Sequence, residues 1–249
     1  MNLLKDKLSL ITGANRGIGK IIAKTFFEEG SDLILCSRKK DKSFSEWIEN
    51  IRSKFPKQKI YTLHFDLQIE NEVKDAISFL INEKLYPNVL INNAGIASGG
   101  SFLLSKKSEI KNVLQVNFID TIFFTQSIVR LLRKSKPSSI VNISSTASVL
   151  ADPGTLGYGA SKASLSFATK VLSKELSPFG IRVNAIAPTI TNTDMLNQMD
   201  PKAIDSLLSR SALNRVCEPE EIANIAAFLC SDKALIINGQ IIYADGGIV

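Results

Sequence analysis

Tyr158 and Lys162 stand four residues apart in Gly-Tyr158-Gly-Ala-Ser-Lys162, and Ser145 lies thirteen residues before the tyrosine. In a helix, residues four apart share a face, about one turn from each other. A lysine ammonium so placed stabilises a tyrosinate, because a nearby cation lowers a phenol pKa that is otherwise near ~10. The set is a proton-handling group in a chain with a single histidine, His64. A Tyr-x-x-x-Lys spacing also arises by chance, so its meaning depends on the elements that position it.

Those elements alternate from end to end. Apolar, β-branched runs at 8–12, 32–37, 59–66, 88–92, 139–143, 182–187 and 241–243 read as strands. Helical spacing of apolar residues fills 18–29, 44–54, 70–83, 108–134, 158–176 and 220–229. A run such as Leu33-Ile-Leu-Cys36 is apolar at every position, the mark of a strand buried on both faces of a parallel sheet. Right-handed crossovers then predict an α/β fold, one doubly wound parallel sheet of about seven strands with helices on both faces. No linker, repeat or low-complexity segment divides the 249 residues, so a single domain over 1–249 is expected. The least regular stretch, 188–215, suggests a loop plus short helix, a natural substrate lid.

The bulk properties exclude several classes. Cys36, Cys217 and Cys230 are odd in number and widely spaced, which fits neither a disulfide framework nor a zinc site, and no metal is expected. No apolar run is long enough to span a bilayer. The start, Met-Asn-Leu-Leu-Lys-Asp-Lys, lacks a signal-peptide pattern, and a cytoplasmic location is expected. The net charge of +6 suits an acidic ligand or partner, or a generic lysine-rich surface. Its cations are spread without an arginine-rich, aromatic-interleaved stripe, so nucleic acid is not an expected partner. Arg130, Arg133, Lys134 and Lys136 close a predicted helix, where cations offset the helix dipole. His64 falls in a strand pattern, which leaves no Ser-His-Asp hydrolase.

Thr12-Gly13-Ala14-Asn15-Arg16-Gly17-Ile18-Gly19 follows the first strand and opens the first helix. Glycines there permit a tight turn and let backbone amides approach a pyrophosphate at a helix N-terminus. The second strand ends in Ser37-Arg38-Lys39, with no acid before Asp41. A carboxylate at that edge would suit the ribose of NAD, whereas cations suit the 2′-phosphate of NADP. Arg16 can converge on the same phosphate, and NADP(H) is predicted, the other reading being that Arg38 and Lys39 are plain surface charges. Asp66, before Leu67, could accept a hydrogen bond from an adenine amine or cap the helix that follows. Asn92-Asn93-Ala94-Gly95 closes the fourth strand with residues that let backbone lie against a ligand, or that only shape the loop.

Taken together, these pieces resemble the short-chain dehydrogenase/reductase superfamily over nearly the whole chain. The resemblance rests on the loop at 12–19, Asn-Asn-Ala-Gly at 92–95, Asn117 in Gln-Val-Asn-Phe, Ser145 in Asn-Ile-Ser-Ser, and Tyr158-x-x-x-Lys162. It continues through Asn184-Ala-Ile-Ala-Pro188, Thr193-Asp194-Met195 and Asp245-Gly246-Gly247. It implies that Tyr158 gives its proton to a substrate carbonyl as hydride arrives from the nicotinamide, and that Ser145 hydrogen-bonds the same oxygen. It implies that Lys162 binds the nicotinamide ribose and lowers the tyrosine pKa, that Asn117 supports a water chain to Lys162, and that Ser144 points elsewhere. The same resemblance extends the cofactor contacts to Gly13, Asn15, Arg16, Gly17, Ile18, Gly19, Ser37, Arg38, Asp66, Leu67, Asn93, Ala94, Gly95, Pro188, Ile190 and Thr193.

The tail, Arg215-Val-Cys-Glu-Pro219 through Asn238-Gly-Gln, looks most like the 3-oxoacyl-[acyl-carrier-protein] reductases of fatty acid biosynthesis, with Arg130 where they carry a basic residue for the acidic carrier protein. Phe179 and Ala97-Ser98-Gly99 depart from that pattern, as does Thr189, where the family has glycine. Other small-alcohol, sugar or steroid dehydrogenases share the tail and remain alternatives for the substrate. A non-catalytic NADP-binding regulator is a more distant one, since such proteins usually lose the tyrosine or lysine. A homotetramer pairing the helices at 108–134 and 158–176 is implied by the resemblance.

Overall fold

The computed structural model describes residues 2–194, 196 and 201–249. Met195 of the Thr193-Asp194-Met195 motif and residues 197–200 of the expected lid lie outside the described residues. Seven strands form: β1 Leu8–Thr12, β2 Asp32–Ser37, β3 Ile60–His64, β4 Val89–Asn92, β5 Ser138–Ile143, β6 Ile181–Pro188 and β7 Ile241–Ala244. All pair in parallel, in the order β3-β2-β1-β4-β5-β6-β7.

The continuous apolar strands are covered on both faces because alternate side chains point to opposite sides of a sheet. Ile11, Leu33 and Leu35 pack with Ile22, Phe26 and Phe27 of α1 (Gly17–Glu28), Ile48 of α2 (Lys42–Lys54) and Ile222 and Ala226 of α9 (Pro219–Cys230). Their neighbours Leu10, Ile34 and Cys36 face the other way. They meet Leu80 of α3 (Glu70–Asn82), Phe124, Ile128 and Leu131 of α5 (Thr121–Leu132) and Leu176 of α7 (Leu156–Leu176). Each such fully buried side chain contributes about 1.5–3 kcal/mol. The three cysteines are free and buried.

The expected helix at 108–134 is interrupted. It divides into α4 (Lys107–Leu114), a π-helical turn Gln115–Asp120, and α5. An apolar stripe continues through both halves, so periodicity alone does not register the extra residue. The turn places Asn117 inward, fully buried, where its amide finds backbone partners. Among the described residues of the irregular segment 188–215 lies the helix α8 (Pro201–Arg210), and a four-residue helix, α6 (Ala147–Leu150), precedes α7. No described helix is long and apolar enough to cross a membrane.

The strand order reverses about β1, which has β2 on one side and β4 on the other. Chain leaving β1 and chain leaving β4 therefore part to opposite faces, opening a crevice at the carboxyl edge between them.

Candidate active site

The crevice floor is the glycine loop. Gly13 and Gly17 have φ of +64° and +52°, a region that side chains other than glycine's enter at a cost. Gly19 is needed for a different reason. A Cβ there would collide with the Asn93 amide and the Gly13 carbonyl. Asn93 in turn donates to the carbonyls of Thr12 and Gly13, at 3.0 and 3.1 Å. Thr12 Oγ1 accepts from the backbone amides of Asn93 and Ala94, both at 3.0 Å. The end of β4 is thus stitched to the end of β1. Thr12 is the residue that sequence reasoning quoted but did not place in the site.

Asn15 and Ile18 are half-buried beside the turn, and Arg16 is exposed at the N-cap of α1. No side chain caps that helix and its first turn holds no acid, so its amides face the crevice uncovered. The Thr193 methyl lies 3.6 Å from where a Cβ of Gly17 would stand, which brings the chain after β6 over the loop. Within that chain Ile190 is buried, and the Pro188 carbonyl accepts from Thr146 N at 3.0 Å. Thr189 Oγ1 is buried with no hydrogen-bond partner among the described residues.

The β2 edge carries Arg38, Lys39 and Lys40, all exposed. Asp41 is the first carboxylate along it and is already engaged. It caps α2, accepting from Phe44 N at 3.0 Å and Ser43 Oγ at 2.7 Å, which holds its pKa below the usual carboxylate value. Ser37 does not present a free hydroxyl, because Oγ donates to the Lys39 carbonyl at 3.1 Å and lies 3.0 Å from His64 Nδ1. Burial, then Lys40, lowers the His64 pKa. Asp66 lies two residues beyond β3 rather than at its end. Its carboxylate accepts from Gln68 N at 3.0 Å, and Ile69, not Asp66, is the N-cap of α3. Leu67 is half-buried against the core.

The expected catalytic group comes together at the first turns of α7. Tyr158 is half-buried with the Ser145 hydroxyl beside it, and Lys162 Nζ stands 5.8 Å from its ring centroid. Lys162 is buried and donates to the Ile143 carbonyl at 2.8 Å, so β5 sets its height. Burial lowers its pKa to about 8. The expected lowering of the Tyr158 pKa by Lys162 is reversed: desolvation raises it, and the Ser145 hydrogen bond opposes only in part. Ser144 does point elsewhere, its Oγ within 3.1 Å of the Lys162 carbonyl and 2.7 Å of Ser166 Oγ.

Asn117 uses its whole amide as a clamp. Its Oδ1 accepts from Ile96 N at 2.8 Å, and Nδ2 reaches Ile96 O at 2.9 Å and Ser161 Oγ at 3.0 Å. A Cβ on Gly95 would lie 3.1 Å from Asn117 Oδ1 and 3.6 Å from Lys162 Nζ. Gly95 is therefore where the loop after β4 meets Asn117 and Lys162. Beneath them runs a buried chain, Thr125–Asn92–Asn142–Thr169, each link 2.8 Å, that ties β4 and β5 to α5 and α7.

Residues 13–249 match the family described as enoyl-(acyl carrier protein) reductase. The chain belongs to the short-chain dehydrogenase/reductase superfamily. It is 34% identical to a 3-oxoacyl-[acyl-carrier-protein] reductase FabG of Thermotoga maritima, over 99% of either chain. It is 33% identical to a 3alpha-hydroxysteroid dehydrogenase of Mediterraneibacter gnavus, over 98% of this chain and 97% of the relative. The fold matches the Pseudomonas aeruginosa RhlG/NADP active-site complex with a TM-score of 0.90 at 28% identity, covering 99% of this chain and 98% of the other. This short-chain dehydrogenase/reductase thus resembles, at 33% and 34% identity, enzymes named for different substrates.

Proposed function

We propose that the protein is an NADP(H)-dependent oxidoreductase that interconverts a carbonyl and a secondary alcohol, with a 3-oxoacyl thioester on acyl carrier protein as the favoured substrate. The observation that carries the reading is the buried Lys162, held by the Ile143 carbonyl at 2.8 Å with its Nζ 5.8 Å from the Tyr158 ring centroid and beside Gly95. The glycine loop fits a dinucleotide, since Gly13 and Gly17 take left-handed φ and the amides opening α1 have no side-chain cap and no acid over them. The β2 edge fits the 2′-phosphate better than a free ribose hydroxyl, because Asp41 is occupied as a cap while Arg38 and Arg16 are exposed.

When bound, the nicotinamide supplies or takes the hydride. Tyr158 keeps its phenol protonated at neutral pH, as its raised pKa favours, and gives that proton to the carbonyl oxygen as the new C–H bond forms. Ser145 donates to the same oxygen as charge develops. Lys162, with a pKa near the operating pH, is suited to return a proton to Tyr158. Asn117 holds the Ile96 backbone and Ser161 in place around them. Exposed Ile119, Phe123 and Phe167, on the π turn, α5 and α7, support pairing of these helices in a homotetramer.

A second reading, oxidation or reduction of a steroid or another alcohol, is supported by the Mediterraneibacter relative. Cofactor oxidation against acetoacetyl thioesters, simple ketones and a 3-oxosteroid separates the two. A lower KM for NADPH than for NADH is expected, with thioesters the best substrates. Equal KM values, or a preference for NADH, would sink the NADP assignment; steroid preference would sink the thioester.

A further inference from the structure

We propose that Arg210 and Asp152 form a latch that seats α8 over the catalytic loop and so sets the grip on the apolar part of the substrate, an inference that rests on the hydride-transfer reading above. Asp152 lies in the loop that joins Ser145 to Tyr158, and Arg210 is the last residue of α8. The guanidinium meets the carboxylate through both arms, at 3.0 and 2.8 Å. Two parallel charge-assisted bonds fix orientation as well as distance.

This pair is the described side-chain link between α8 and the loop before Tyr158. None of the α8 side chains is fully buried. Ile204, Leu207 and Leu208 are half-buried, at i, i+3 and i+4, so this one stripe turns toward the protein and the rest faces solvent. The chain beyond α8 is anchored separately. Ser211 Oγ donates to the Gly246 carbonyl at 3.1 Å, Leu213 N donates to the same carbonyl at 3.2 Å, and Arg215 grips Glu221 through two bonds of 2.7 Å. Arg210 adds to these anchors a direct tie from α8 to the loop of Asp152. The loop that receives it is braced from the other side, where Gly100 N donates to the Gly154 carbonyl at 3.0 Å. Asp152 and Gly154 thus tie α8 and the chain at Gly100 to one short turn, six to four residues before Tyr158. The latch acts on substrate through the Ile204–Leu207–Leu208 stripe; the pair itself positions and does no chemistry.

The test combines steady-state kinetics at saturating NADPH with amide hydrogen exchange over α8, in the full chain. The variants are Asp152→Asn, Arg210→Gln and the two together, and the substrates are a short and a long member of one carbonyl series that the wild type reduces. Each single substitution is expected to raise KM for the long substrate about 2- to 5-fold, as for a surface ion pair of good geometry, with kcat and the short substrate little changed. Exchange in α8 quickens by a similar factor, and the double variant matches the singles, because one broken pair cannot be broken twice. Unchanged exchange, effects that add in the double variant, or a loss confined to kcat each overturn the latch. If the wild type reduces no carbonyl, the functional reading fails by itself, while the exchange measurement still decides whether the pair seats α8.

Discussion

At the glycine loop, Thr12, Asn93 and Asn117 spend their side chains on backbone partners, and a single added methyl at Gly19 has nowhere to go. At α8, on the other flank of the same crevice, no side chain is fully buried and a rim ion pair supplies the link to the catalytic loop. The first region is fixed by many short bonds among groups out of water, where leaving any donor unpaired is expensive. The second is held by a contact that salt and solvent weaken. The difference matches a division of labour. On the proposed function the cofactor side asks for one rigid geometry, whereas relatives at 33% and 34% identity are named for different substrates. Variation is tolerated where few bonds must be remade.

On the proposed function the chemistry lies wholly on the rigid side, and Tyr158→Phe tests this most severely. Loss of the proposed proton donor, with Ser145 still able to hydrogen-bond the reacting oxygen, is expected to lower kcat about 10³-fold. The melting temperature should change little, since the ring is retained and only a partly desolvated hydroxyl is lost. Activity within tenfold of the wild type would refute the assignment.

The same comparison predicts unequal responses to a one-methyl change. Gly19→Ala forces Asn93 off the Thr12 and Gly13 carbonyls, and overpacking of this kind costs about 1–3 kcal/mol. The KM for cofactor should rise at least about tenfold with it, 1.4 kcal/mol being a factor of ten. Ala203→Gly, on the exposed side of α8, should cost no more than about 1 kcal/mol and leave cofactor KM alone. Chemical denaturation and cofactor titration read both, and similar losses at the two positions would dissolve the contrast.

What the sequence revealed follows the same division. The strands were legible because each is apolar along its length, and the Tyr158–Lys162 spacing was legible because a helix turn makes it a contact. The glycine loop announced itself through residues that few other positions require. The clamps did not: Asn93 and Gly13 lie 80 residues apart, and Arg210 and Asp152 lie 58 apart, with no periodicity to join them. The π turn was hidden because the apolar stripe runs through it. The direction of the Tyr158 shift was misjudged because spacing reveals a neighbouring charge but not how much water has been removed.

Cations draw the last contrast between the two regions. Arg210 and Arg215, on the rim, are paired with carboxylates that raise their pKa values. Lys162, in the interior, has no carboxylate partner among the causes of its shift, and burial lowers its pKa to about 8. A lowered lysine pKa opposes folding wherever the unfolded chain holds the proton more tightly. The penalty is therefore full below pH 8 and fades as pH rises toward the ordinary lysine value of 10.5. Its upper bound is about 3 kcal/mol, from 1.36 kcal/mol per pKa unit, and the hydrogen bond to the Ile143 carbonyl offsets part of it. Lys162→Met should abolish turnover yet be about 1–2 kcal/mol more stable than the wild type at pH 7, a net figure after that offset. Its advantage should shrink steadily between pH 8 and 10.5. Tyr158 titrates in both proteins and cancels in the difference. Urea unfolding of the pair at pH 7 and pH 10 measures it, and a stability difference that does not move with pH would mean that the lysine is as well solvated as those on the rim.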